Sequence, residues 1–358
     1  MPEKDRDDAE GSGDRPARLI DVARRAKVSR ATAARALGGY GPVGAATREK
    51  VQIAARELNY SANVLARAMR AGTTKTIGVV VADISNSFFS SAVRAIIDTA
   101  TAAGYQTLVI NTDDNIQREI EAVRVLLEKR VDGLIVVPSS INIYDHLMLE
   151  GELAKPVVLL DRRLMGLDVA CAYTDDRAGA KAAVELFLES GHKHIGLLLA
   201  TAAANGPKVV QPAGAVATVV DRQDGAMEAL HMAQAPCPAI RYSRSNVDES
   251  TAAAKELLAM NPRPTAILAT NEEMALGVVS ACMELGLAVG CDISLISFDD
   301  SPWTRVFSPA ISVIRRPVHD LGNAAVSALI QEIQGGGRSG KIVLPTTLID
   351  RASVARLT

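Results

Sequence analysis

Beyond its first 75 residues the chain alternates continuous apolar runs with stretches in which apolar residues recur every three or four positions. The run IGVVVA at residues 77–82 is typical of a strand that is buried on both faces of a parallel sheet. The elements predicted next are a helix at about 89–103, a strand at 106–110, a helix at about 117–129 and a strand at 133–137. This order predicts an α/β fold with a doubly wound parallel sheet and right-handed crossovers.

The same pattern returns in the second half of the chain. Residues 195–200 read IGLLLA, which echoes the run at 77–82, and residues 266–270 and 294–298 supply further strands. Two similar α/β halves predict a two-lobed molecule. Its ligand cleft should lie at the C-terminal ends of the strands, where ligands of such sheets usually bind.

The segment from residue 18 to residue 60 follows a helical period instead. Apolar spacing predicts three short helices, at about 19–26, 30–37 and 45–58. The tight turn AKVS joins the first two, Ser29 stands at the N-cap of the second, and two glycines end it. This arrangement is a helix-turn-helix, which lays its second helix in a DNA major groove.

Charge supports this interpretation. Between Arg18 and Lys75 there are 12 Lys or Arg and three Asp or Glu, a net charge of +9, whereas the whole chain carries −2. A compact basic segment in a mildly acidic protein indicates binding to a polyanion. Arg30 and Arg35 lie toward one side of the second helix and are long enough to reach guanine edges or phosphates.

Length and composition set the broad class. The 358 residues suffice for two or three domains, and with 48% hydrophobic but 3% aromatic residues the cores should be mostly Ala, Val, Leu and Ile. No apolar run approaches the ~18 residues of a membrane span, and the charged N-terminus is unlike a signal peptide. We therefore expect a cytoplasmic protein with no membrane partner, reduced cysteines and a disordered tail over residues 1–17.

Several longer tracts are more specific than any single motif. They are DVARRAKVS, ATREKV and YSANVLARAMRAGTTKTIGVVVADISNSFF early in the chain, then PVVLLDRRL, PTAILATNEEMALGVVSACMELGL, ISLISFDDSPW and VLPTTLIDRASVA. Through them the chain resembles the lactose-repressor/purine-repressor family of bacterial transcriptional regulators, over nearly all of residues 18–355.

The resemblance implies a domain organisation. It comprises a helix-turn-helix DNA-binding headpiece at 18–60, a hinge helix and linker at 61–75, and a periplasmic-binding-protein-like effector-binding and dimerisation domain at 76–358. The two lobes of that domain are expected at about 76–173 with 318–346, and at about 174–317 with 347–358.

The resemblance also implies which residues contact DNA. In the family the hinge folds on operator DNA and inserts an apolar side chain into the minor groove. By position that wedge is Met69, where most relatives have Leu, and Met can also kink a base step; its alternative role is packing against the dimer mate. The predicted DNA-binding residues are Ser29, Arg30, Ala31, Thr32, Arg35, Asn63, Ala66, Arg67 and Met69.

Some positions depart from the family pattern. Arg18 and Gly44 replace the usual Thr and Ser helix N-caps, which should weaken the first and third helices by about 1 kcal/mol each or less. Ala34 replaces a common Ser and removes one possible DNA contact. Residues 201–220 resemble an insertion of small residues beside the cleft. The alignment across this insertion determines whether Arg222 takes the place of the family's effector arginine.

The family's effector cleft transfers to strand ends in this chain. Carboxylates and an amide can bind hydroxyl groups, an arginine offers a planar fork, and an aromatic face suits the apolar side of a sugar ring. Taken singly, each carboxylate could equally be a solvated strand end or a helix cap. The predicted effector-binding residues are Asp83, Phe88, Phe89, Asp161, Arg222, Asn271 and Asp299.

Other motifs carry little weight. The segment GGGRSGK at 335–341 imitates a phosphate loop, but it follows a helix and Ile342 replaces the required Ser or Thr. His192 and His194 lie in a predicted turn with no further ligand nearby. No hydrolase, dinucleotide-binding or zinc-protease motif is present. We therefore expect no metal, no cofactor and no enzymatic activity.

The sequence thus predicts a homodimeric, ligand-responsive repressor that binds double-stranded operator DNA and a small sugar-like effector. Two alternatives remain: a regulator that responds to a nucleobase or nucleoside, and a solute-binding protein of the same two-lobed fold. The basic headpiece argues against the second alternative, since a solute-binding protein is exported and has no such segment. An enzyme that uses the cleft carboxylates is a third class, which turnover of a sugar panel would reveal.

Overall fold

The structure is a computed structural model that describes residues 17–38, 41–60, 73–201 and 216–357. The chain divides between Thr74 and Lys75 into two compact units. The predicted N-terminal tail, the hinge and most of the 201–220 insertion lie outside the described residues, and so do four predicted DNA contacts. These four are Asn63, Ala66, Arg67 and Met69.

The first unit contains three helices, α1 (Leu19–Arg25), α2 (Arg30–Gly38) and α3 (Ala45–Glu57). All six boundaries lie within one residue of those that the apolar spacing predicted. Their small core is built mostly from alanine and valine: Val22, Ala23, Ala33, Ala36, Val51, Ala54 and Ala55. Such short side chains allow the helix backbones to approach closely, which suits a unit of this size.

The N-termini of these helices are stabilised in different ways. The Asp21 carboxylate accepts the backbone N–H of Arg18 at 2.9 Å, which is the reciprocal half of a capping box. Ser29 Oγ accepts the Thr32 N–H at 3.1 Å at the start of α2. Gly44 offers α3 no side-chain cap. The weakening expected from Arg18 is therefore partly offset by Asp21, whereas that expected from Gly44 is not.

The second unit has two lobes, each built on a six-stranded sheet. The strands of the first sheet are β1 (Thr76–Val81), β2 (Gln106–Asn111), β3 (Gly133–Val136), β6 (Val157–Leu160), β7 (Ala170–Thr174) and β13 (Lys341–Leu344). The strands of the second are β8 (Ile195–Ala200), β9 (Ala239–Ser243), β10 (Ala266–Ala269), β11 (Ser294–Phe298), β12 (Ser312–Arg315) and β14 (Thr347–Ile349). A small antiparallel hairpin, β4 (Met148–Leu149) with β5 (Glu152–Leu153), adds to the first lobe.

The two sheets have the same strand order and differ only in the direction of one edge strand. Their orders are β13-β7-β6-β3-β1-β2 and β14-β12-β11-β10-β8-β9. All neighbouring strands pair in parallel except β14, which is antiparallel to β12. Every residue of β3, β6, β10 and β11 is buried, as expected for strands covered by helices on both faces.

Helices cover both sheets. Those of the first lobe are α4 (Ser87–Ala102), α5 (Ile116–Glu128) and α11 (Val318–Ile333). Those of the second are α6 (Asp176–Glu189), α7 (Ala217–Met232), α8 (Val247–Leu258), α9 (Glu272–Leu285) and α10 (Pro302–Val306). Within the described ranges, no helix combines the length and apolarity needed to span a bilayer.

The chain passes from one lobe to the other more than once, which places their strand ends opposite each other. In the described chain the passages follow β7, β12 and β13. The second of them, residues 316–317 between β12 and α11, is short and directly adjoins the cleft. Residues 335–340, the glycine-rich segment, connect α11 to β13 and do not follow a strand.

Candidate functional site

The recognition helix α2 presents its predicted DNA-binding residues to solvent. Ser29, Arg30 and Ala31 are exposed, whereas Thr32 and Arg35 are partly exposed. The Ser29 hydroxyl is already used as the N-cap and also lies 2.9 Å from Thr32 Oγ1. The first turn of α2 is therefore locally ordered.

The arginines of this helix are held only lightly. Arg30 has no hydrogen bond or ion pair within the described part of the chain, and Arg35 Nε donates to the carbonyl oxygen of Ala31 at 3.3 Å. By contrast, Arg25 on α1 pairs with Glu57 on α3 at 2.8 Å. The two cations of α2 thus remain available to bases or phosphates.

In the second unit, two carboxylates occupy equivalent positions of the two lobes. Asp161 directly follows β6 and Asp299 directly follows β11, and both adopt positive φ angles, 66° and 71°. The Asp161 N–H donates to the Ala172 carbonyl at 2.8 Å, and the Asp299 N–H donates to the Ile314 carbonyl at 3.0 Å. A left-handed backbone at a non-glycine residue is strained, and such strain is concentrated at functional sites.

Arg316 joins these two carboxylates across the cleft. Its Nε and Nη2 donate to the two Asp299 oxygens at 2.7 and 2.8 Å, and its Nη1 donates to Asp161 at 2.9 Å. The guanidinium carbon also lies 3.5 Å from the ring centroid of Phe88, a cation–π arrangement. Only 4% of the Arg316 side chain is exposed.

Arg222 is held in a second network within the second lobe. Its Nε donates to Asp176 at 2.8 Å, its Nη1 donates to the Thr270 carbonyl, and its guanidinium carbon lies 4.3 Å from the Phe298 ring centroid. Asn271, also predicted in the cleft, caps α9 by accepting the Met274 N–H at 2.9 Å. The predicted effector arginine therefore already has an internal carboxylate partner.

Burial governs the electrostatics of this cluster. Burial raises the pKa of Asp161, and the Asp176 charge raises it further, although Arg316 opposes both effects. Burial disfavours the Arg316 cation as well, but the carboxylates of Asp299, Asp161 and Asp176 outweigh it and raise the pKa of Arg316. The guanidinium is therefore charged at any physiological pH.

Other polar contacts also bridge the lobes. Asn86 Nδ2 donates to Glu273 Oε1 at 2.8 Å, and Ser87 Oγ donates to Glu272, so the N-termini of α4 and α9 are linked. Burial raises the pKa of Glu273. A third contact joins Arg163 Nη2 to Asp221 at 2.8 Å. Arg316 is therefore not alone in linking the two lobes.

Two of the cavities that the described residues line are in the cleft region. The first, of about 350 Å³, is lined by Asp83 together with Asp114, Arg162 and Arg244, among others. The second, of about 380 Å³, is lined by Phe88, Asp299 and Arg316, among others. The remaining predicted effector residues line neither: Phe89, Asp161, Arg222 and Asn271. Phe89 packs in the core of the first lobe.

His192 has a structural position. Its Nδ1 lies 2.9 Å from Thr265 Oγ1, and its Nε2 lies 2.9 Å from Ser294 Oγ and 3.0 Å from the Ala355 carbonyl oxygen. It thereby ties the C-terminal segment to the second sheet. Among the residues that the structure describes, no group of three His, Cys, Asp or Glu is arranged to hold a metal ion.

Comparisons with known proteins agree with this architecture. Residues 18–63 match the model of bacterial regulatory proteins of the lacI family, and residues 184–354 match that of the periplasmic binding protein-like domain. The ribose operon repressor of Halalkalibacterium halodurans is 32% identical, over 88% of this chain and 90% of that protein. The chain belongs to the LacI family.

Further similarities cover almost the whole LacI-family chain. The HTH-type transcriptional repressor PurR of Vibrio atlanticus is 29% identical over 95% of this chain and 99% of its own length. The crystal structure of the lac repressor dimer bound to operator and the anti-inducer ONPF superimposes with a TM-score of 0.82 at 28% identity, covering 95% of this chain and 100% of that one. The predicted fold class is confirmed, and so is the predicted function of a ligand-responsive, DNA-binding transcriptional regulator.

Sequence reasoning missed the residues that organise the cleft of this LacI-family protein. Arg316, Asp176, Arg162 and Asp114 were not among the predicted effector residues, yet each is ion-paired there. One signal was present, since Arg316 directly follows the last residue of β12 and precedes Pro317. A charged residue at the C-terminal end of a parallel strand is a candidate cleft residue for the same reason as Asp161.

Proposed function

We propose that this regulator is a homodimeric cytoplasmic repressor, without enzymatic activity, that binds double-stranded operator DNA through α2 and a small hydroxylated effector in its cleft. The observation that carries the DNA-binding part is the exposed, unpaired Arg30 beside the lightly held Arg35 on a capped second helix. Arg30, Ala31 and Arg35 would face the major groove, and Ser29 and Thr32 would lie near the backbone phosphates. The hinge residues Asn63, Ala66, Arg67 and Met69 would complete the contact in the minor groove.

Exposed apolar residues support the dimer. The edge strand β2 carries Leu108 and Val109, 40% and 37% exposed, beside the 37% exposed Ile97 of α4. Met283 and Val306 of the second lobe are 74% and 83% exposed. An unprotected apolar edge strand favours pairing with another chain, and a two-fold dimer buries the same patch on both copies. The lac repressor relative is a dimer on its operator.

The chemistry of the cleft supports a hydroxylated effector. Asp83, Asp114, Arg162 and Asn246 line the first cavity and offer acceptors and donors to hydroxyl groups. One relative is a ribose operon repressor, and a sugar or sugar derivative is the class that we favour for this chain. An effector that favours one separation of the lobes would change the free energy of DNA binding, which is a coupling between two distinct sites.

The test is selection of genomic fragments by the purified full-length protein, followed by titration of salt. We expect a selected pseudo-palindromic site whose affinity falls steeply with salt concentration, because bound phosphates release counterions. Affinity for the site should change when a carbon-source library is added. If no genomic fragment binds in a salt-dependent manner, with or without these compounds, the proposal is wrong.

A further inference from the structure

Arg316 occupies the centre of the cleft in which the effector is proposed to bind. Its guanidinium contacts Asp161, which ends a strand of the first lobe, and Asp299, which ends a strand of the second. Both carboxylates and the ring beneath the guanidinium, Phe88, are predicted effector-binding residues. One protein side chain therefore uses the groups that were expected to receive the ligand.

The same side chain lines one of these two cavities and not the other. Asp83 lines the first cavity, whereas Phe88, Asp299 and Arg316 line the second, and Asp161 lines neither. Because the guanidinium donates to Asp161 and Asp299 and lies over the Phe88 ring, a ligand cannot occupy the space between these three residues while Arg316 fills it. Entry to the centre requires Arg316 to leave.

Charge determines what could replace it. The buried cluster contains three carboxylates, Asp161, Asp176 and Asp299, and three guanidinium groups, Arg162, Arg222 and Arg316. Arg162 is shared with the partly exposed Asp114. Removal of Arg316 would leave Asp299 buried without a cation among the described residues, and would leave Asp161 with only the more distant Arg162, at 4.0 Å. A buried unpaired charge is far more costly than an exposed one. Hydroxyl groups of a neutral ligand can hydrogen-bond to these carboxylates but cannot neutralise them.

We propose that the subsite between Asp161, Asp299 and Phe88 is a cation site that the protein fills with its own Arg316, which holds the lobes together without ligand. It follows that an effector reaching this subsite carries a cationic group, such as an amine or guanidine, beside its hydroxyls. A neutral sugar is confined to the first cavity, which Asp83 lines. This inference rests on the proposed function only in taking the cleft as the effector site.

The experiment measures the distance between the lobes in the full-length protein. Spin labels are placed on cysteines introduced at Gln117 and Asp248, exposed residues in the first turns of α5 and α8, which follow the equivalent edge strands β2 and β9. The exposed Cys237 and Cys291 are replaced by serine, and labelled chains are diluted with unlabelled protein. We expect a single short distance in the otherwise native chain.

Arg316→Ala should shift this distance to longer values, because the two carboxylates lose their shared cation. Methylguanidinium should restore the short distance in that variant by binding in the vacated subsite, whereas its neutral isostere N-methylurea should not. Arg315→Ala is the matched control: the neighbouring arginine pairs with Asp300 inside the second lobe, so its loss should leave the distance unchanged.

Two results would overturn the proposal: an unchanged distance in Arg316→Ala, or equal restoration by N-methylurea. If Arg316→Ala does not fold, Arg316→Lys serves instead, since it keeps the charge but loses the fork, and it should give a mixture of both distances. Equal distances in Arg316→Lys and the native chain would show that the planar guanidinium is not needed to hold the lobes together. Salt-dependent DNA binding is measured on the same samples, and its absence in the native chain refutes the proposed function without affecting the lobe distances.

Discussion

The recognition helix and the cleft treat their charged side chains in opposite ways. Among the described residues, the Arg30 side chain on α2 has no hydrogen-bond or ion-pair partner, and that of Arg35 hydrogen-bonds only to a carbonyl of its own helix. In the cleft, Arg222 and Arg316 are buried and each is ion-paired with a carboxylate. The two arginines of α2 therefore need partners from another molecule, whereas Arg222 and Arg316 already have partners within the protein.

Desolvation explains the difference. An exposed guanidinium keeps its hydration, so unpaired arginines on a DNA-binding surface cost little stability while no DNA is bound. A guanidinium in a closed cleft has lost that hydration and must be paired and hydrogen-bonded within the protein. Exposure of an unpaired charge therefore indicates a candidate DNA-binding residue. In the cleft, by contrast, the groups that a ligand would contact are already buried and paired within the protein.

The largest effect is expected from removing a buried partner. Arg222→Met should lower the free energy of unfolding by about 3–5 kcal/mol, because Asp176 is left buried without its closest cation. Urea denaturation of the full-length protein measures this. The matched control is Arg177→Met on α6, whose arginine is half exposed and pairs with Glu228, and it should cost much less because solvent screens the pair. Similar losses in both variants would show that burial does not distinguish these two ion pairs.

A smaller effect, on binding, is expected for the recognition helix. If Arg35 reads a base as proposed, Arg35→Ala should lose about 1–3 kcal/mol of discrimination at one base pair of the selected operator, because the proposed base contact would be removed. Quantitative binding to a panel of single-base operator variants measures it. Arg56→Ala is the control, since Arg56 is an exposed arginine on α3 with a similar bond to its own helix, 3.4 Å to the Gln52 carbonyl. Uniform weakening on every operator would assign Arg35 to phosphate contact instead.

The caps of the headpiece should give effects of about 1 kcal/mol or less. Ser29→Ala removes the N-cap of α2 and should cost about 1 kcal/mol, whereas Gly44→Ser adds a cap to α3 and should gain a few tenths. A side chain at Gly44 meets no atom within 4 Å, so the added serine has room. Hydrogen exchange of the α2 and α3 amides in the full-length protein reports both changes. A gain from Ser29→Ala would show that its hydroxyl strains the turn.

The smallest effect concerns pH and the second unit alone. All five histidines lie beyond residue 145, and burial lowers the pKa of His192. The folded state therefore resists protonation of His192, so its contribution to stability is present above about pH 6.5 and is lost as the pH falls below that value. His192→Gln should reduce the fall in unfolding free energy between pH 7 and pH 5. An unchanged pH profile would show that His192 is accommodated equally well as a cation.

Much of the fold follows from local pattern. The strands β1, β2, β3, β8, β10 and β11 and the helices α1–α3 were predicted to within about one residue, because continuous apolar runs and helical spacing are local properties. The exposure of the recognition-helix residues could be predicted equally well, since the helical period indicates which residues of a short helix face solvent. The sheet strands β7, β9, β12, β13 and β14 were not predicted, because they are short and carry no long apolar run.

The cleft was predictable only in part. Strand ends could be recognised, so Asp161 and Asp299 were predicted, but nothing local indicates that both would share one arginine. Arg316 and Asp161 are 155 positions apart in the sequence. Asp161 directly follows a strand of the first lobe, whereas Arg316 directly follows a strand of the second. Their contact depends on two sheets of the same strand order facing each other at their C-terminal edges.

The sequence by itself determined the helix-turn-helix, its positive charge, the two α/β halves and the family resemblance, because each rests on neighbours along the chain. Only the tertiary structure decided which charges stay exposed and which neutralise one another. That choice depends on desolvation, which is a property of the packed cleft and not of any segment. Arg30 and Arg316 have the same side chain, and only burial distinguishes the one that awaits a partner from the one that already has it.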